Sequence, residues 1–203
     1  MNTVLEKYRK LPWGSALLVT ANIVIFVICT FTGEKIYKLG MLDAYDVTIK
    51  GEYGRLLWAM FLHSGVTHLF NNMLILAFLG AMLEKEMGHW RFLMCYFVSG
   101  IGGNLFSLTS KLIANDWTSS LGASGAVFGL DGVLLALVLF YDKKMTTITP
   151  SRVAIMILLS LYSGFTGDNI DNAAHIGGLV TGFLIATILC IIRRKRLERR
   201  KNR

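Results

Sequence analysis

Leu121-Gly122-Ala123-Ser124-Gly125-Ala126-Val127-Phe128-Gly129 opens an apolar run that continues to Tyr141, and the reading of the whole chain turns on it. Gly125, Gly129 and Gly132 stand at i, i+4 and i+7, so on a helix they form one smooth stripe. A second stretch matches it: Asn172-Ala173-Ala174-His175-Ile176-Gly177-Gly178-Leu179-Val180-Thr181-Gly182, with Gly178 and Gly182 on the face of His175. In a bilayer, glycine stripes let two helix backbones approach closely. If stripe meets stripe, Ser124 ends up opposite His175.

The composition around these stretches belongs to a membrane protein. Of 203 residues, 54% are hydrophobic and only 17% charged, and the mean hydropathy is +0.53; disorder and an ordinary soluble domain are both excluded. Apolar runs cover 15–32, 56–83, 92–112, 123–141, 153–165 and 174–192, which predicts an all-α bundle of six transmembrane helices. No internal repeat divides the chain, so one membrane domain is expected over 15–192, between a segment at 1–14 and a basic tail at 193–203. The first run is longer than the core of a signal peptide and lacks a convincing cleavage site, so it is read as a helix. Cys29, Cys95 and Cys190 all lie in apolar stretches with no CxxC or Cys/His grouping, which predicts neither disulfides, nor a bound metal, nor a cofactor.

The net charge of +8 is not spread like a nucleic-acid patch: eight of the 21 Lys and Arg fall in the last eleven residues, directly after an apolar run. A tail lying against the lipid surface explains it, and nucleic acid is not an expected partner. With six spans both termini share a side. Putting them in the cytoplasm assigns 16 Lys and Arg to inner segments and 5 to outer ones, the asymmetry that membrane insertion favours. Spans two, four and six then run from outside to inside.

Two spans have unusual lengths. The run 56–83 is too long to cross straight and is interrupted by His63-Ser64-Gly65-Val66-Thr67-His68 and Asn71-Asn72. Its first part, 56–62, is therefore expected in an outer, partly membrane-inserted loop, with the true helix starting near Val66. The run 153–165 is short, which would leave its side of the bundle thin in the outer half.

An ionisable or amide side chain inside a bilayer costs roughly 2.5–3.5 kcal/mol on insertion scales, so each needs a reason. Those noted are His63, His68, Asn71, Asn72, Ser124, Asp131 and His175. By the topology above, Ser124, His175, His68 and Asn72 all sit at the outer ends of parallel helices, hence at one depth. A serine hydroxyl is a weak nucleophile until a neighbouring imidazole takes its proton, which is the pairing Ser124 and His175 offer. The helix start under Ser124 supplies free N–H groups and a positive dipole end for a developing oxyanion. His68 and Asn72, one turn apart, can add side-chain donors.

These residues resemble the rhomboid intramembrane serine proteases, from about Gly51 to Gly182. The pattern is visible as Gly51-Glu52-Tyr53-Gly54-Arg55, Phe61-Leu62-His63-Ser64, His68-Leu69-Phe70-Asn71-Asn72-Met73, Glu84-Lys85-Glu86-Met87-Gly88, Gly122-Ala123-Ser124-Gly125, and Ala174-His175-Ile176-Gly177-Gly178 with Gly182. The resemblance implies a bacterial-type six-helix core in the cell (plasma) membrane, cleaving the transmembrane segments of single-span proteins from the outer face. It implies Ser124 as nucleophile, His175 as general base, and His68, Asn72 and the N–H groups of Ser124 and Ala123 as oxyanion hole. Arg55, His63 and Glu84 take structural roles in it, as do Gly122, Gly125, Gly178 and Gly182. Asp168 and Asp171 precede His175 closely enough to suggest a triad, but two loop acids beside a span start read better as solvated caps.

Three positions depart from the family pattern. Gly54 stands where an aromatic usually precedes the arginine, and Phe128 where a Tyr is common. Asp131, two turns below Ser124, has no counterpart; the helical wheel places it near Thr181 and Gly182. A non-catalytic client-binding relative should lack Ser or His at the dyad, and a transporter should carry polar groups through both halves; neither description fits.

Overall fold

The computed structural model describes residues 11–140, 150–165 and 170–201; the sequence expectations for 1–10, Tyr141, Lys143, Lys144 and Asp168 lie outside the described residues. The elements in chain order are α1 (Trp13–Thr32), α2 (Glu34–Gly40), α3 (Ala44–Thr48), α4 (Arg55–Trp58, prolonged by a 3-10 turn over Ala59–Phe61), α5 (Val66–Met87), α6 (His89–Ala114), α7 (Ser124–Phe140), α8 (Pro150–Phe165) and α9 (Asn172–Lys201). Among the described residues there is no sheet, only an isolated bridge between Leu42 and Ser120. Helix is what the composition demands, because in hydrocarbon a segment must satisfy its own backbone N–H and C=O groups. Among the described residues four helices, α1, α5, α6 and α9, are long and apolar enough to cross a bilayer; α7 is apolar over 17 residues and α8 has 16. The long run at 56–83 divides: Arg55–Phe61 makes short helical turns and α5 begins at Val66.

α7 is the central element. Leu130, Val133 and Leu134 on it are buried among Leu76, Leu79 and Leu83 of α5 and Phe92, Cys95 and Tyr96 of α6. α5 widens into one π-helical turn over Leu76–Gly80, a local irregularity of the kind that often accompanies function. At Gly80 a side chain would meet Ser15 and Phe92 at 3.1 and 3.2 Å. Conversely, Phe31, Val66, Phe78, Ile113, Leu158 and Ile188 are exposed, apolar surface of the kind that a bilayer covers.

The α7–α9 contact is made by the glycine stripes. A Cβ added at Gly178 would strike the carbonyl of Gly125, one at Gly182 the carbonyl of Gly129, and one at Gly132 the carbonyl of Leu179. Nothing larger than hydrogen fits.

At the end of the bundle that carries Ser124, the segment holding α2 to α4 is pinned by Arg55. Its buried guanidinium pairs with Asp46 (2.6 Å) and Glu52 (2.7 Å) and donates to the carbonyls of Lys38 and Met41 (both 2.9 Å). The Tyr37 hydroxyl donates to the His63 carbonyl (2.8 Å), Asn104 Nδ2 to that of Leu56 (2.8 Å), and the Gly122 N–H to that of Ala59 (2.9 Å). At the far end, Glu84 is buried and accepts from the N–H groups of Gly14 and Ser15 (both 2.7 Å) and from the Ser15 hydroxyl (2.8 Å). It also bonds His89 Nδ1. α1 is thus capped by a carboxylate from another helix.

Candidate active site

Ser124 is the first residue of α7, half-buried, with the Val127 N–H already bonded to Ala123 O (3.0 Å). The N–H groups of Ser124 and Gly125 belong to the unsatisfied first turn of a helix, and neither finds an acceptor among the described residues. Ala123 is fully buried. Just before it, Gly122 has φ +131°, and a Cβ there would lie 2.9 Å from Cε1 and Nε2 of His68 and 3.7 Å from Ser124 Oγ. Glycine at 122 is therefore required twice, by its backbone and by the imidazole against it.

His175 lies in the first turn of α9, only 8% exposed, its N–H donating to Asp171 O (3.2 Å). Its ring stacks on Phe128, one turn into α7 from Ser124, with centroids 4.1 Å apart and planes 9° from parallel. Phe128 thereby provides the stacking face without a hydroxyl. A side chain at Gly125 would touch the Ala174 carbonyl at 3.4 Å, so the residues beside Ser124 and His175 meet directly. Both reach one level, with no hydrogen bond between them among the described residues. Such bonds commonly tighten only once substrate is present.

His68, in the first turn of α5, turns its Nε2 toward Gly122 and its Nδ1 toward the Ser64 hydroxyl (3.1 Å). If Ser64 donates to Nδ1, the proton of the neutral ring sits on Nε2, aimed at the start of α7. Asn72 is buried and spends one amide N–H on the His68 carbonyl (2.9 Å), leaving the second. His63 is wholly buried, edge-on to His68 at 5.1 Å, and neither ring nitrogen makes a well-formed hydrogen bond to a described residue. Its backbone, through Tyr37, is what anchors the loop.

The remaining residues that the sequence singled out fall elsewhere. Arg55 and Glu84 hold the two ends of the bundle as described above, and Gly178 and Gly182 sit in the α7–α9 seam. Asp131 needs correction: Thr181 donates to Gly177 O (2.7 Å) and packs over Gly102 of α6, so it does not face Asp131. The Asp131 carboxyl is instead buried against the Ser160 hydroxyl of α8, and neither group makes a well-formed hydrogen bond to any described residue. Asp171 is a cap, as expected, but not a merely solvated one. One oxygen accepts the Ala174 N–H (2.9 Å) and the other the Ser107 hydroxyl of α6.

Sequence reading missed Ser64, Ser107 and His89. A Ser four residues before a His is a usable local signal for the first; Ser107 bonds Asp171 from 64 residues away and leaves none, and His89 reaches Glu84 from five residues on, across the break at Gly88, a spacing that no single-helix pattern marks.

These features define a multi-pass helical membrane protein with a serine and histidines gathered at one end of the bundle. The chain belongs to the rhomboid family: the Rhomboid domain matches residues 50–192. It is 33% identical to the "Rhomboid protease GluP" of Bacillus subtilis (strain 168), over 88% of this chain and 35% of that protein. Identity to the "Putative rhomboid protease YdcA" of the same organism is 37%, over 82% of this chain and 77% of that one. To "RHOMBOID-like protein 4" of Arabidopsis thaliana it is 33%, over 89% of this chain and 53% of the relative. The chain thus spans about half or less of the plant protein and of GluP, and most of YdcA.

Proposed function

We propose that this protein is an intramembrane serine endopeptidase that cuts transmembrane segments of single-span membrane proteins, from a site open to the outer face of the membrane. Six helices, α1 and α5 to α9, cross the bilayer, with α2 to α4 forming a partly inserted outer loop and both termini in the cytoplasm of a bacterial cell. His175 takes the proton of Ser124 Oγ as the hydroxyl attacks the scissile carbonyl, and returns it to the leaving amine. A water activated by His175 then hydrolyses the acyl-enzyme. The oxyanion is met by the open N–H group of Ser124, with the N–H of Ala123 beside it, by His68 Nε2 and by the second amide N–H of Asn72. Arg55 and Glu84 hold the scaffold, and Gly122, Gly125, Gly178 and Gly182 give the clearance that lets the two catalytic helices meet. A peptide bond in an intact helix is sheltered, so the substrate must unwind near the site, which favours segments with small residues.

The observation that supports this reading most is that the helix start carrying Ser124 has free backbone N–H groups and packs against the helix start carrying His175, whose ring stacks on Phe128 one turn from Ser124. Cleavage of a reporter carrying one transmembrane helix by the purified protein tests it. Ser124→Ala and His175→Ala should each abolish turnover with melting temperature within a few degrees of wild type. Cleavage at the wild-type rate by both variants would end the proposal.

A further inference from the structure

The end of the bundle away from Ser124 carries a cleft of about 210 Å³ between α5, α6, α7 and α9. Leu137, Leu189 and Ile192 line its apolar side, and Arg91, Arg193 and Arg196 its rim. The three arginines come from two helices. Arg193 feels Arg91 as a like charge and Glu86 as an opposite one, and one carboxylate among three guanidinium groups leaves the rim positive. Holding like charges together beside low-dielectric walls is costly, and an anion between them removes that cost.

Position decides what kind of anion. After His175, α9 carries no charged side chain up to Ile192, then seven Lys and Arg over 193–201. The cleft straddles that switch, its apolar side at acyl-chain depth and its rim at headgroup depth. A cleft of this size has room for a phosphodiester headgroup and not for a folded peptide. Guanidinium forks match phosphate oxygens in pairs, and exposed Ile188 and Leu139 offer neighbouring surface to acyl chains.

We propose that this cleft binds the headgroup of one anionic phospholipid, with the chains running along the apolar faces of α7 and α9. The site stands apart from Ser124 and His175, so it holds whether or not the protein is a protease.

Native mass spectrometry of the purified full chain, offered phosphatidylglycerol or phosphatidylcholine, tests it. One phosphatidylglycerol should be retained, about tenfold or more in preference to phosphatidylcholine. The triple variant Arg91→Gln, Arg193→Gln, Arg196→Gln should lose that preference. Removing the same charge outside the cleft, by Arg194→Gln, Lys195→Gln and Arg199→Gln, should preserve it. Leu189→Trp fills the apolar side without altering charge and should also expel the lipid, which decides the matter should the triple variant fail to fold. Equal retention of phosphatidylcholine, equal loss in the control triple, or lipid retained by Leu189→Trp would overturn the site. Displacement by millimolar glycerol phosphate would also overturn it, by showing a free-anion site in its place.

Discussion

The two ends of the bundle treat a helix N-terminus in opposite ways. At the far end, α1 begins with Gly14 and Ser15 donating to Glu84, so its first-turn N–H groups are consumed by a buried carboxylate. At the site end, α7 begins with Ser124 and Gly125, whose N–H groups have no acceptor among the described residues. The backbone feature is identical, and the difference is whether another helix supplies a carboxylate. A satisfied terminus is structure, whereas an open one next to a serine is available for chemistry. α9 falls between these cases: Asp171 takes the Ala174 N–H and the Ser107 hydroxyl, which fixes the turn carrying His175.

Substitutions at six positions probe this contrast, beginning with the seam between α7 and α9. Gly178→Val drives a side chain into the Gly125 carbonyl, where backbone cannot yield. Overpacking a core costs about 1–3 kcal/mol and more where no side chain can move, so the folded protein should be lost along with all cleavage. A near-native melting curve would mean that α7 and α9 are not in backbone contact. His68→Ala and Asn72→Ala should each lower turnover about 10²–10³-fold, the scale of one oxyanion donor, with thermal unfolding little changed. A loss as complete as that of Ser124→Ala would reassign them from the oxyanion to the dyad.

Glu84→Gln should behave in the reverse manner. It weakens a buried cap by about 1–3 kcal/mol, lowering the melting temperature, while turnover per folded molecule stays within about twofold. Lost turnover without lost stability would erase the distinction between the two ends. The smallest effect belongs to Asp131. Asp131→Asn should leave both stability and turnover nearly intact, and Asp131→Leu should shift stability by less than about 2 kcal/mol in either direction with activity retained. A catalytic role would show as a turnover loss of several orders of magnitude in Asp131→Asn at unchanged stability. Ser160→Ala in the Asp131→Leu background should add little, since the pair is removed already.

The sequence by itself determined what is periodic. The apolar runs give the helices because a bilayer forbids other backbone solutions, and the break at His63 to Gly65 separates a loop segment from α5 because polar residues cannot continue a span. The meeting of the two glycine stripes was also legible, since i, i+4, i+7 glycines mark the face on which a helix accepts another backbone. What only the tertiary structure decided is which neighbour each remaining face meets. Glu84 caps a helix start 70 residues away, and no local pattern links them. Asp131 meets α8 and not Thr181, because a helical wheel gives a residue's azimuth on its own axis but says nothing of how adjacent axes are rotated. The arginine cleft arises the same way, from Arg91 and Arg193 on separate helices brought together by packing. Periodicity is a property of one helix; the partners across a seam follow from the joint packing of all of them.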